Sequence, residues 1–341
     1  MVNFAGYYMP VQYEGVNAEH QFVRQAVGVF DISHMGEILV IGNKAEDFLQ
    51  WVTSNDVSQL KIGNIQYSYL PNNTGGIVDD ILVYRLDDNK FMLVVNASNL
   101  EKDWKWLNQK NKWNVELLNK SDEYSLLALQ GPQSLTLLQQ LTSFNLSELK
   151  YYNFILGKIA EINDIIISRT GYTGELGFEL YVKNKYVKQL WNALFSTDCE
   201  LKPIGLAARD TLRLEKGFCL YGNDIDENTS PIEAGLAWIT KFSKSFINSD
   251  NLKKQKEEGT KRSLIGLELL ERGIARKGYL IVDADGIEIG IITSGTMSPT
   301  LKKAIAMGYV LSEYQKSGKE VYIIIRHKKI KAKFVNLPFV K

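Results

Sequence analysis

The chain has 341 residues, in which 40 Lys and Arg offset 39 Asp and Glu to a formal charge of +1. That length accommodates about two domains with a sizeable core, and the balanced charge supplies no bulk field that would recruit nucleic acid or a membrane surface. The two cysteines, Cys199 and Cys219, lie outside any CxxC or Cys/His cluster, which argues against a disulfide scaffold or zinc site and for a reducing compartment.

Met1 leads almost directly into "NFAGYYMP", without a basic segment and apolar run, and no apolar stretch is long enough to span a bilayer. The expected location is cytoplasmic. Residues 3–120 mix short strand patterns, "EILVIG" and "FMLVVNAS", with helical patterns, "AEDFLQWV" and "NLEKDWKWLNQK". A second block repeats this texture. "YSLLALQG" reads as a strand, "GPQSLTLLQQL" as a helix, "IAEINDIIISRTGYTGELGFELYV" as a hairpin and "NKYVKQLWNALF" as a helix. In "GLAARDTLRLEKGFCLYG", Leu206, Leu212, Leu214 and Phe218 suit a helix resting on a sheet. The charged run "KKQKEEGTKR", Lys253 to Arg262, is the best linker candidate. Beyond it, "LIGLELL", "GYLIVD", "GIEIGIITSG", "AIAMGYVL", "EVYIIIR" and "KIKAKFVN" are short strands between turn signals, which read as a small barrel or sandwich.

Candidate chemistry gathers in three places. In "GGIVDDILVYR", strand alternation puts Ile77, Asp79, Ile81 and Val83 on one face and Val78, Asp80, Leu82 and Tyr84 on the other. Both faces are apolar, so a covered carboxylate there must find a cation or donors, or hold its proton. The alternative is that one aspartate caps the preceding "NNTGG" turn and the other marks a bulge; the pattern does not separate the two readings. In "SRTGYTGELGFELYV", three glycines permit tight turns, and the leading expectation is a hairpin with a polar outer face bearing Glu179 and Tyr181. In "GLAARDTLRLEKG", Arg209 and Arg213 are at i, i+4 and Asp210 and Arg213 at i, i+3, which a surface salt-bridge network explains. His20, His34 and His327 are scattered, so metal chemistry is not expected, and no GxSxG elbow supports a serine nucleophile.

Taken together, "NFAGYYMP", "VGVFDISHMGEILVIG", "QYSYL", "GGIVDDILVYR", "FMLVVNASN", "LALQGPQS", "SRTGYTGELGFELYV", "GLAARDTLRLEKGFCLYGNDI", "PIEAGLAWI", "GIARKGY", "TSGTMSPTLKKAIAMGYV" and "LPFV" resemble, in order and across nearly the whole chain, the aminomethyltransferase or T-protein family of the glycine cleavage system. The resemblance implies an α+β fold in which a two-lobed folate-binding region, 1–258, precedes a C-terminal β-barrel, 259–341, forming a three-lobed cloverleaf. It implies transfer of a one-carbon unit from the aminomethylated lipoyl arm of the H-protein to tetrahydrofolate, yielding 5,10-methylenetetrahydrofolate and ammonia. It assigns Asp80 as the catalytic residue at the folate N10, Glu179 and Arg209 as substrate-binding residues, and Met35, Tyr67, Tyr84, Asn96 and Tyr172 as the cavity lining, with no metal. Asp79 is left as a structural neighbour and Gly75-Gly76 as the turn that starts the strand. "FIN", ending at Asn248, stands where the family has "FIG", a change that a turn tolerates. Two relatives of the same superfamily compete: a folate-dependent demethylase, which would alter the Asp pair or the "SRTGYTGE" loop, and an iron–sulfur assembly accessory protein, whose Lys-Gly-Cys signature is interrupted here by Phe218.

Overall fold

The structure is a computed structural model that describes residues 1–315 and 318–341. The described chain falls into two compact units, Met1–Leu70 with Asp79–Arg209, and Pro71–Val78 with Asp210–Lys341.

The first unit contains two sheets. In the five-stranded sheet the order is Ile65–Pro71, Ile77–Asp87, Lys90–Val95, Gly36–Ile41 and Glu116–Asn119. The antiparallel pairing sets Leu82 opposite Val94 and Ile38 opposite Leu93. Helix Ala45–Val52 buries Ala45, Phe48, Leu49 and Val52, an i, i+3, i+4, i+7 stripe. Helix Leu100–Lys110 buries Asp103 and Leu107 on one stripe, so a carboxyl occupies a place the periodicity reserves for an apolar side chain. In the six-stranded sheet the order is Phe154–Ile159, Ile162–Ser168, Gly177–Lys183, Tyr124–Gln130, Gly28–Asp31 and Lys202–Pro203, with the last pair parallel. Phe178, Leu180 and Val182 enter a core with Leu127, Leu129, Ile165 and Ile167, covered by Leu190 and Leu194 of helix Asn184–Phe195. The expected 159–182 hairpin is therefore two strands of this larger sheet.

In the second unit six antiparallel strands close a barrel: Arg262–Leu269, Lys303–Leu311, Glu288–Ser298, Leu280–Val282, Glu320–Ile325 and Lys328–Val335. Leu267 sits opposite both Ala306 and Phe334, and these side chains meet Ile281, Ile292, Val321 and Ile323 in the barrel core. The six segments read as short strands between turn signals each contribute one barrel strand. The charged run expected to be a linker is instead helical through its first part, since helix Ser249–Glu258 buries Ser249 and Leu252 and turns its Lys and Glu residues outward. Gly259, at φ 86°, ends that helix. Asn248 adopts φ 63°, a left-handed conformation that asparagine tolerates better than other side chains, which explains how it stands in for glycine.

The salt-bridge network expected on a surface is buried except at Asp210. Arg213, on helix Leu206–Glu215, is 1% exposed and bonds Asp210, Asp224 and the Ser294 hydroxyl. Asp224 also accepts from Thr293 and Ser294, and Glu215, fully buried, accepts from Ser298 and Thr300. The i, i+3 spacing was read correctly. Periodicity along one helix could not show that this side of it meets Asp224 and the barrel hydroxyls.

Candidate active site

The strand Ile77–Asp87 begins at a turn that its own residues close. Asn72 Oδ1 accepts from the Thr74 and Gly76 N–H groups at 2.9 and 2.8 Å, so the turn is capped by an asparagine and not by either aspartate. Gly75 has φ 102°, and a Cβ on Gly76 would lie 1.8 Å from the Glu227 carbonyl oxygen, which only glycine permits. From there the strand runs to Asp87, with a register shift against its neighbour between Arg85 and Asp87. Asp79 is fully buried and Asp80 partly exposed.

Asp79 Oδ2 accepts the Asn96 backbone N–H at 2.9 Å, and its Oδ1 accepts the side-chain amides of Asn96 and Asn99. Asp80 Oδ2 accepts the Tyr67 hydroxyl at 2.9 Å, and its Oδ1 accepts Asn96 Nδ2 at 2.9 Å. One amide thus touches both carboxyls, so two residues that the alternation assigns to separate faces share a partner. Burial, and then the charge of Asp79, push Asp80 up to about 7, while the bonds from Tyr67 and Asn96 pull it down. A carboxyl so placed exchanges protons near neutrality.

The second sheet presents Glu179 and Tyr181 on the face opposite its core. Both are buried, so this is not the polar outer face expected of a hairpin. Glu179 Oε2 accepts from Thr170 Oγ1 at 2.5 Å, Thr170 meets Ser168 at 2.7 Å, and Ser168 meets Tyr84 at 2.9 Å. Tyr84 also bonds the Tyr181 hydroxyl at 2.9 Å. This relay ties the two sheets together. Tyr84, expected to line a cavity, has no exposed surface and presents its hydroxyl to this relay. Burial raises Glu179 above the usual carboxylate range, opposed by Thr170 and Arg209.

The Arg209 guanidinium lies over the Tyr172 ring at 4.7 Å from its centroid. His34 is nearly buried, and burial together with Arg209 pushes it down to about 3, so it stays neutral. Met35 is partly exposed and closes a turn through its N–H to the Ile32 carbonyl at 3.1 Å. Burial, and after it the charges of Tyr151, Glu179, Tyr84 and Asp80, push the Tyr152 hydroxyl up. A cavity of about 320 Å³ borders the Tyr172 loop, lined by Tyr151, Arg169, Gly171, Gly174, Glu175, Leu176 and Gly177; neither Asp80 nor Glu179 lines it.

Sequence reasoning missed Tyr152, the Ser168–Thr170 relay, Asn99 and Asp103. It also missed Glu37, a buried carboxyl raised to about 9 by burial. For Asp103 a signal existed: a carboxyl on the apolar stripe of "NLEKDWKWLNQK". Among the described residues no cluster of three or more His, Cys, Asp and Glu side chains could hold a metal.

Two family models match the chain, one described as "GCVT N-terminal domain" over residues 1–244 and one as "Glycine cleavage T-protein C-terminal barrel domain" over residues 262–341. The chain belongs to the glycine cleavage T-protein family. It is similar to the aminomethyltransferase of Flavobacterium psychrophilum, 56% identical over 343 residues, covering all of this chain and 95% of that protein. It is 54% identical to the aminomethyltransferase of Bacteroides fragilis over 345 residues, again covering all of this chain and 96% of the relative. A crystal structure of the glycine cleavage system aminomethyltransferase T from Bartonella henselae matches with a TM-score of 0.93 at 38% identity, over 99% of this chain and 93% of that one. The two matched regions agree with the two textures of the sequence, the mixed sheets and the closed barrel. Membership in this T-protein family makes the chain a folate-dependent aminomethyltransferase. The Asp pair and the "SRTGYTGE" loop that a demethylase would alter are both present.

Proposed function

We propose that the chain transfers the one-carbon unit of an aminomethylated lipoyl H-protein to tetrahydrofolate, with Asp80 as the reacting carboxylate. The observation that carries this reading is the pairing, in one compact unit, of a neutral-range carboxyl held by Tyr67 and Asn96 with a second buried carboxyl, Glu179, backed by Thr170 and influenced by Arg209. Those groups suit a folate. A buried carboxylate can accept the paired N–H groups of a pterin edge, and the stacked Arg209 and Tyr172 offer a cation and an aromatic face.

Tetrahydrofolate supplies the nucleophilic nitrogen that takes up the carbon. The chain supplies orientation and proton handling. Tyr67 and Asn96 each donate to one oxygen of Asp80 and fix the carboxyl plane. Asp80 takes or returns a proton at its own Oδ atoms near neutral pH and, when ionised, stabilises positive charge developing beside it. Glu179 holds the pterin edge, and Tyr84 supports it through Ser168 and Thr170. Met35, Asn96 and Tyr172 complete the lining. The division into residues 1–258 and 259–341 falls between the limits of the two family models and at the helix end at Gly259, whereas the compact units divide after Arg209. Cytoplasmic operation accords with this role, and among the described residues no helix is long and apolar enough to cross a membrane.

The deciding assay incubates purified protein with tetrahydrofolate and aminomethylated H-protein and measures ammonia and methylenetetrahydrofolate. Stoichiometric formation of both is expected. A folded, folate-binding sample that makes neither overturns the proposal.

A further inference from the structure

Asp103 lies on the buried stripe of helix Leu100–Lys110 and has no exposed surface. Both its carboxyl oxygens are sealed from water, and among the described residues neither receives an N–H or O–H donor. Ionised there, it would lose its hydration and gain no hydrogen bond in exchange. Its carboxyl faces Asp79 within hydrogen-bonding reach. Asp79 already accepts the Asn96 N–H and the amides of Asn96 and Asn99. Two touching carboxyls do not both stay charged in a buried site; the one with donors keeps the charge, and the one without keeps the proton.

We infer that Asp103 is a positioning residue for the reaction at Asp80: it stands as a neutral acid, donates its hydroxyl to Asp79, and so holds Asp79 as a fixed anion behind Asp80. This rests on the reading of Asp80 as the reacting carboxylate. Asn99, at the N-cap of helix Leu100–Lys110, and Asp103, four positions on in its first turn, each present a donor to Asp79. Asn96 carries the arrangement on to Asp80. The charged and titratable groups around the cluster are Lys102, Asp79 and Asp80 for Asp103, Asp79 and Tyr67 for Asp80, and Tyr152 beyond it. Burial, and then Asp79, raise Asp103 to about 11 against the opposing charge of Lys102, in keeping with a proton retained throughout the working range. The anion that Asp103 secures is the charge that, after burial, lifts Asp80 toward neutrality.

The test compares the full-length wild type with Asp103→Asn, which keeps a neutral donor of the same shape, and Asp103→Leu, which removes it. Infrared difference spectra of substrate-free protein, taken well above the ordinary carboxylate range, should show a protonated-carboxyl band that Asp103→Asn removes. No such difference overturns the inference. In the pH dependence of kcat/KM, Asp103→Asn should keep the wild-type acid limb and lose less than about threefold in kcat. Asp103→Leu should move that limb to lower pH by about one unit and lose more kcat than folate affinity. If Asp103→Asn moves the limb as well, Asp103 is charged in the native protein and the inference fails. Should Asp103→Leu not fold, the Asn variant alone decides. If Asp80→Asn retains activity, the reading of Asp80 falls, while the infrared band still reports on Asp103.

Discussion

The chain buries two clusters of carboxyl groups, and it holds them differently. In the barrel-containing unit, Asp224 has no exposure and meets the Arg213 guanidinium at 2.8 Å, with the Thr293 and Ser294 hydroxyls on its oxygens. In the other unit, Asp79 and Asp80 are held by amides and a phenol, with Asp103 against Asp79. A guanidinium neutralises its partner and locks the pair as a structural tie. Neutral donors orient a carboxylate without cancelling its charge, so the charge of Asp79 remains available to lift Asp80. On the proposed reading, one cluster serves rigidity and the other proton exchange.

Breaking the first cluster should give the largest stability effect. Arg213→Met strands Asp224 without its counter-charge and is expected to cost about 3–5 kcal/mol, seen in denaturant unfolding, while the acid limb of activity stays in place. An unchanged midpoint would remove the contrast. In the second cluster, Asp80→Asn should lower kcat by about 10²–10⁴-fold with little loss of folate affinity. The same variant should be more stable than wild type at alkaline pH. Asp80 is raised in the folded chain from 3.8 to about 7, so the stability it contributes is fully present below 3.8 and lost as pH rises through about 7. Removing the titration is worth about 1–2 kcal/mol at alkaline pH after allowance for solvent screening. Thermal unfolding across pH reads this directly, with the two proteins converging in acid.

Glu179→Gln should weaken folate binding by about 1.5–3 kcal/mol, the worth of hydrogen bonds to a charged group, and titration calorimetry would register it with kcat less affected. Equal losses of kcat in the Asp80 and Glu179 variants would show the assigned roles to be wrong. The smallest effect is expected from Tyr67→Phe. The hydroxyl donated to Asp80 lowers its pKa, so its loss should move the acid limb to higher pH by less than about one unit.

Much of the fold was legible because its elements are set by local period. "AEDFLQWV" and "NKYVKQLWNALF" coincide with observed helices, and six short segments between turn signals became six barrel strands. The regular strand through Asp79 and Asp80 was equally readable. Burial was less so, since Glu179 and Tyr181 alternate like an outward face until a second sheet covers them, and the Arg213 group reads as surface charge until Asp224 meets it. The charged helix Ser249–Glu258 read as a linker because its buried side contributes only Ser249 and Leu252.

The ordered motifs carried the family resemblance, which implies the barrel; the sequence by itself determined the order of elements, a C-terminal run of short strands that reads as a barrel or a sandwich, and the placement of two adjacent carboxylates on a strand apolar on both faces. These follow from periodicity and turn chemistry, which act over a few residues. Tertiary structure alone decided that Asn96 bridges both aspartates, that Asp79 meets Asn99 and Asp103 while Asp80 meets Tyr67, and that Asp80 titrates near neutrality. Those properties depend on burial and on charges brought together from separate segments, and a pKa is a property of that environment and not of the residue alone.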